Sequence, residues 1–425
     1  MKQLITQARD QIRKQAHWCR FQLAQQKAAW HLRALRKKKV ARVVFLVTDH
    51  RIWHAQSVYD AMQEDPRFDP VMVAYPGQPG YSEGLSQLER AKETYRSFSI
   101  EGASIEQGWC VRNGQTKIRP PTEFGADILF YSSPYRSGNK YLDRVAWCKH
   151  LCCYIPYCLS VSRNYERQYN GVFHNAMWRI YCSDELQRRG FETHGQIGGK
   201  NAVVTGYPPF DLLHRPLDET QLPYNDNGRI RLIWAPHHTI SPDNSSLPPS
   251  HFLDTADDMI AIANQRAEQI FWVFRPHPAL KLKLYNTPSW GKERTDRYYS
   301  YWRNSSHSAL SEGEHIMLFQ WSDAMIHDSG TFLVEYSHTG KPTLYLRRRQ
   351  EIEPFLSDLA KKALEYCEFA DKKEKISEFL SNLLKKPPTK TIDQASKHKE
   401  IRSAADSILL DLKISIWGNK KNSNP

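Results

Sequence analysis

Residues 322–348, SDAMIHDSGTFLVEYSHTGKPTLYLRR, can fold in few ways. Ala324 to His327 is short and apolar enough for a buried strand, and Asp328-Ser329-Gly330-Thr331 is a turn. A helix starts near Thr331, and beyond the break at Gly340-Lys341-Pro342 a second strand runs from Thr343 to Leu346. Strand, glycine turn, helix and strand form a βαβ unit, with a right-handed crossover and ligands at the carboxyl ends of its strands. The turn presents small side chains and backbone N–H groups at a helix N-terminus, a seat for phosphate. Glu335 lies one helical turn past Thr331 on the same face, within reach of a ribose hydroxyl. An ordinary capped turn would have the same spacing, so the decision rests on the surrounding chain.

The preceding sequence repeats this alternation. Apolar strands are expected at 41–49, 69–76, 126–134, 150–160, 178–185 and 201–208, with helices at 57–64 and 81–97. The series restarts at 229–236, 269–278, 322–328 and 341–348, with helices at 251–268, 361–386 and 394–412. Continuous apolar strands separated by helices indicate parallel sheets covered on both faces. The fold class is therefore α/β, with two doubly wound Rossmann-like domains, 40–214 and 229–417, facing a cleft. A polar, proline-marked linker spans 215–228, an aromatic helical insertion beside the cleft is expected at 281–312, and 418–425 is a polar tail.

Charge separates the first 39 residues from the rest. They hold eleven Lys and Arg against Asp10 alone, a net +10 out of +13 for the chain. The nearly neutral remainder argues against a nucleic-acid partner. Ile5, Ala8, Ile12, Ala16, Cys19, Leu23 and Trp30 recur at helical spacing among those basic residues, the pattern of a helix lying on an anionic membrane surface. A solvated helix docked on its own protein is the alternative. With no apolar run long enough to span a bilayer and no signal-peptide core, the expected location is cytoplasmic, peripheral on the inner face of the membrane. Eight cysteines are then reduced thiols, and Cys148, Cys152 and Cys153 lack the second ligand pair of a zinc site.

Three strands of the second half end in polar chemistry: WAPHH with His237 and His238, FRPHP with Arg275 and His277, and the Asp328–Thr331 turn. In a parallel sheet such ends share one edge. Histidines, an arginine and a helix N-terminus together suit a diphosphate: planar bidentate donors, backbone N–H groups and a group able to move a proton.

These stretches resemble the CDP-glycerol glycerophosphotransferase family of teichoic-acid and capsule polymer enzymes. VTGYPPFDLL (204–213) is similar to its Gly-x-Pro-x-x-Asp segment, FRPHP to its Arg-x-His-Pro element, and SDAMIHDSGTFLVEY to its Ser-Asp-x-x-Ile-x-Asp-x-Ser-Ser helix start. The resemblance covers roughly residues 40 to 415. It implies the GT-B fold, a CDP-glycerol or similar CDP-polyol donor, a lipid-linked or glycan acceptor, and no metal or other cofactor. It places Arg275, His238, Asp328, Ser329, Gly330 and Thr331 on the donor, Glu335 on its ribose, and His277 or His237 on the leaving phosphate. The family's first-domain Trp-His-Gly-Thr stretch corresponds to CYIPYCLS (153–160), where Tyr157 stands and no histidine does. His54, on the loop after the first strand, and His174 are the candidate bases on the acceptor side. A GT-B glycosyltransferase or epimerase using a UDP-sugar, and a non-catalytic binder of envelope polymers, fit the same residues.

Overall fold

The computed structural model describes residues 2–77, 86–100, 103–135, 137, 139–217, 224–241, 247–313, 315–386 and 402–418. Its first sheet has seven parallel strands, in the order Ile105–Gln107, Phe68–Ala74, Ala41–Val47, Ile128–Tyr131, Leu151–Tyr154, Arg179–Cys182 and Ala202–Val204. The second has six, in the order Ser308–Leu310, Ile270–Phe274, Ile230–Ala235, Ala324–His327, Thr343–Tyr345 and Glu368–Phe369. Numbered along the chain within each sheet, both begin 3-2-1-4-5-6. The strand order reverses between first and fourth strands, and a doubly wound sheet binds ligands at that point.

Burial explains why these segments are strands. Val43, Phe45 and Val47 enter the core on one face of the first sheet, Val44 and Leu46 the core on the other. In the second sheet Leu232 and Trp234 face one core, Ile233 and Ala235 the other. A strand buried on both faces is apolar along its buried length, as Val43–Val47 and Leu232–Ala235 are.

Several expected elements differ. The 361–386 helix is broken into Asp358–Ala363 and Lys373–Lys385, because Glu368–Phe369 pairs with Leu344–Tyr345 as an edge strand. Residues 281–312 are the helical crossover that leads into Ser308–Leu310 rather than an insertion, and Lys283 among them lines the cleft. Their helix Gly291–Asn304 buries Tyr298, Tyr299 and Trp302 in the second core. Trp109–Arg112 and Gln115–Ile118 form a hairpin that the sequence reading passed over, turned by Asn113 and Gly114 at φ 53° and 72°. The helix expected at 81–97 is described from Gln87, and 78–85 lie outside the described residues. So do parts of three other expected segments: 218–223 of the linker, 394–401 of the closing helix and 419–425 of the tail.

The closing helix, Ala404–Trp417, belongs by packing to the first domain, not the second. Ala405, Ile408, Leu409, Leu412 and Ile416 enter the first core. Asp211 of the Gly-x-Pro-x-x-Asp segment accepts the N–H groups of Ala404 and Ala405 at 2.8 and 3.0 Å, and the Ser57 hydroxyl at 3.0 Å. That aspartate ties the interdomain segment to the start of the returning helix, satisfying N-terminal donors that have no partner within the helix. The two domains also meet where Ser357 donates to the Val161 and Ser160 carbonyls, and Arg163 N–H to Phe355 O.

The basic N-terminal helix, Lys2–Leu35, has one docked face and one exposed face. Phe21, Ala24, Ala28 and Leu35 are buried against the body, and Gln25 donates to Met177 O. Ile12, Leu23 and Trp30 of the predicted apolar stripe are exposed. The docked-helix alternative thus holds for one side, while Ile12, Cys19, Leu23 and Trp30 of the stripe face outward. No helix among the described residues is long and apolar enough to cross a membrane.

Candidate active site in the interdomain cleft

A cleft of about 510 Å³ opens between the carboxyl ends of the two sheets. On its second-domain wall the central strand Ile230–Ala235 runs into His237 and His238. Its neighbours Ile270–Phe274 and Ala324–His327 run into Arg275 and into Asp328. Parallel register sets Trp234 beside Phe274 and Ala235 beside His327, so the three strand ends align. The rings of His237, His238 and His277 come together, their centroids 4.1 to 5.0 Å apart.

All three histidines are held below their ordinary pKa. Burial is the main cause at each; neighbouring imidazoles and Lys283 add to it at His237 and His277, and Lys283 at His238, which falls to about 4. They are neutral at neutral pH, and their hydrogen bonds assign the tautomers. Ala279 N–H donates to His277 Nδ1 at 3.0 Å, so a neutral His277 carries its hydrogen on Nε2. His237 Nδ1 lies 2.9 Å from Thr239 Oγ1, whose hydroxyl turns to Pro248 O, so Nδ1 is the donor there. One ring therefore offers an N–H at Nε2 and the other a lone pair.

This cluster is also where a metal has to be considered, since its ligand atoms lie within 4.8 Å of one another. A tetrahedral site needs a lone pair from each ring directed at one point. The bond to Ala279 makes Nε2 of His277 a donor, which fits a phosphate oxygen better than a cation. Among the described residues no cysteine joins a group that could hold a metal; Cys152 and Cys153 are buried, and burial pushes both thiols far up.

Asp328 is placed differently from the sequence expectation. Its Oδ1 accepts His237 N–H at 2.6 Å, and its Oδ2 accepts the Ser250 hydroxyl at 2.6 Å and His251 N–H at 3.0 Å. It fastens loops together and does not line the cleft. Ser329 is the N-cap of helix Gly330–Ser337 without a side-chain capping bond, and both Ser329 and Thr331 line the cleft. Gly330 serves close approach: a Cβ there would sit 2.7 Å from Leu247 Cδ1 and 3.0 Å from Val161 Cγ2. Arg275 is buried at the same wall, donating to Pro276 O and Gly313 O at 3.2 and 2.7 Å.

Glu335 lines the cleft as expected, but its oxygens are engaged within the protein. It is only 1% exposed, and its two oxygens are engaged by Tyr207 Oη and His315 Nε2, both at 3.0 Å. Tyr207 Oη in turn lies 3.3 Å from His54 Nδ1. His54 and Tyr157 both line the first-domain wall, Tyr157 with its hydroxyl 2.9 Å from that of Tyr135. His174 is packed against Tyr154, Phe173 and Phe191, and burial lowers its pKa to about 4.

Four groups in this region escaped the sequence reading. Arg51 and Lys283 line the cleft as cations, with Arg51 held in a two-pronged pair on Asp49 at 3.0 and 2.7 Å. Tyr207 lies inside the segment read as a connector, and His315 begins a helix on a stretch without any strand-end signal.

No family model matches this chain, and no curated protein matches it in sequence. Solved structures do. A variant of the wall teichoic acid polymerase TagF aligns over 95% of this chain and 96% of its own, at TM-score 0.55 and 12% identity. The same variant soaked with CDPG gives 0.54 at 13% identity, over 95% and 97%. A putative UDP-N-acetylglucosamine 2-epimerase from Listeria monocytogenes gives 0.53 at 13% identity, over 88% and 96%. At these identities the likeness shows the fold. The chain has the GT-B-like architecture, two parallel Rossmann-like sheets facing a cleft.

Proposed function

We propose that this protein transfers glycerol phosphate, or a related polyol phosphate, from a CDP-activated donor to a hydroxyl of a membrane-associated lipid-linked or glycan acceptor, releasing CMP. The observation that carries this reading is the convergence of Arg275, the His237–His238–His277 cluster and the Ser329–Thr331 helix start on one wall of the cleft. Phosphoryl transfer asks of a protein chiefly positioning and charge stabilisation. Arg275 and the helix N-terminus hold the diphosphate. His277 donates its Nε2–H to a phosphate oxygen as charge builds on the leaving CMP. Lys283, beside the histidines, adds a cation on the same side. Exposed Ile12, Leu23 and Trp30 and the net +10 of the N-terminal segment bring the protein to an anionic membrane, where such an acceptor resides.

Calorimetry with CDP, CDP-glycerol, CDP-ribitol, UDP and UDP-N-acetylglucosamine, followed by assay of CMP and UDP release over membranes, tests the reading. Cytidine nucleotides should bind and CMP should appear. Binding of uridine nucleotides alone would establish the second reading, a UDP-sugar enzyme. That reading is supported by the comparable TM-score to the 2-epimerase and by an Asp328 and a Glu335 engaged within the protein.

A further inference from the structure

A buried chain of hydrogen bonds joins the two domains at the floor of the cleft. Tyr207, on the segment between the sheets, donates to Glu335 Oε1 of the second domain, and its oxygen faces His54 Nδ1 of the first. The His54 and Tyr207 rings stack with centroids 5.9 Å apart, and the His315 ring lies 6.1 Å from that of His54.

The proton positions follow from the partners. Burial pushes the Glu335 carboxyl up, but His315, His54 and the Tyr207 hydroxyl together hold it below its usual value, so it is ionised. Burial and the Glu335 charge push Tyr207 far above the usual phenol range, so it keeps its hydrogen. That hydrogen goes to the charged Glu335 oxygen at 3.0 Å rather than to Tyr157 O at 3.5 Å. The Tyr207 oxygen can then only accept from His54, which fixes the hydrogen of His54 on Nδ1 and its lone pair on Nε2.

We propose that His54 is the base that takes the proton of the acceptor hydroxyl, and that Tyr207 and Glu335 are positioning residues that hold it in the required tautomer. The assignment rests on the transferase reading above. As the acceptor oxygen bonds to the β-phosphorus, its proton passes to His54 Nε2. The bond from that phosphorus to the bridging oxygen breaks, and its electron pair leaves on CMP. The imidazolium so formed is paired through the Tyr207 hydroxyl with the Glu335 carboxylate, as an acid–base histidine is oriented by a carboxylate elsewhere. His54 belongs to one domain and Glu335 to the other. The base is thus complete only in the arrangement that also brings the donor wall to the acceptor wall.

The test uses the full-length protein and the nucleotide donor that calorimetry shows to bind. His54→Gln should lower kcat by ~10² to 10⁴ with donor affinity unchanged. Tyr207→Phe and Glu335→Gln should each lower kcat by ~10-fold or more, again without loss of donor affinity, whereas removing a ribose ligand would weaken binding. In both variants the acid limb of the kcat/KM profile should move to lower pH, since the imidazolium loses its carboxylate. The titratable side chains facing His54 are Tyr207, Glu335 and His315, with Arg51 on its own loop, and His315→Gln controls for the third of these. Nitrogen-15 spectra of the His54 ring should show the Nδ1–H tautomer in the wild type and lose it in Tyr207→Phe, a readout independent of turnover. Full activity in His54→Gln overturns the base, and an unmoved acid limb with an unchanged tautomer overturns the positioning role. A wild-type protein that binds neither cytidine nor uridine nucleotides overturns the transferase reading, and the base with it.

Discussion

Asp328 Oδ1 accepts the backbone N–H of His237 at 2.6 Å, joining the ends of two adjacent parallel strands. With Ser250 and His251 on its other oxygen, this carboxylate closes three donors that would otherwise be buried without a partner. This wall of the cleft is shaped by an acidic residue that does not itself line it.

Asp328→Ala should therefore act first on stability. Leaving buried donors unsatisfied costs ~1 to 3 kcal/mol each, moderated where a loop can relax towards water. Urea denaturation should show a loss of ~2 to 4 kcal/mol, while Asp328→Asn, which keeps one acceptor oxygen, should lose less. Equal stability of Asp328→Ala and wild type would remove the fastening role.

Arg275 and His277 adjoin in sequence but should separate in kinetics. Arg275→Ala should weaken nucleotide binding by roughly tenfold or more, because charge-assisted bonds to a diphosphate exist in the ground state. His277→Ala should lower kcat by ~10² to 10⁴ with little change in nucleotide affinity, since its N–H meets charge that develops during transfer. Calorimetry and steady-state rates on both variants give the comparison; a His277→Ala enzyme at full rate would move the proton-donating role to another member of the cluster.

How far the sequence disclosed this site depends on what each residue does. Strand ends were legible, because continuous apolar runs in a two-sided parallel sheet can only be followed by loops at its edge. That placed His237, His238, Arg275, Ser329 and Thr331 on one wall before any coordinates. Asp328 in its turn and Glu335 on its helix stand where the sequence puts them, but nothing local revealed that Ser250, Tyr207 or His315, tens to more than a hundred residues away, would engage them. The hairpin at Asn113-Gly114 was an available signal, as that dipeptide takes the left-handed conformation its turn requires. The return of Ala404–Trp417 to the first domain had no local signal, because an apolar helical face does not say which core it will enter.

Three buried histidines should make stability fall in mild acid. Burial lowers His150 and His174 to about 4, and His327 to about 3 despite the bond from its ring to Ser329 O. Unfolded histidine titrates near ~6.5. Below that pH the unfolded chain binds protons that the folded chain refuses. Stability is thus fully present above ~6.5 and is lost as pH falls towards 4, by up to ~1.4 kcal/mol per pH unit for each proton. Asp328, raised by burial, works in the opposite direction but is a single group. Urea midpoints at pH 8, 6 and 5 should fall steadily, and less steeply in His174→Gln. Midpoints that do not move across that range would contradict the buried neutral state.

Folding and membrane attachment should be separable on the two faces of the N-terminal helix. Ala28 and Leu35 lie in the first core, with Phe21 and Ala24 buried beside them, and Arg36 donates to Ile416 O of the closing helix. Removing residues 2–39 should destabilise the first domain, as full burial of a leucine alone contributes ~1.5 to 3 kcal/mol. On the other face Leu23 and Trp30 are 47% and 62% exposed amid the basic residues. Leu23→Glu with Trp30→Glu should keep the fold yet weaken flotation with anionic liposomes. The apolar stripe is thin, so attraction to anionic lipid should dominate and fade as salt shortens the Debye length from ~10 Å at 0.1 M. Neutral liposomes should bind little at any salt. If the doubly substituted protein floats as well as wild type at low salt, or wild type ignores anionic liposomes there, the exposed face is not the anchor.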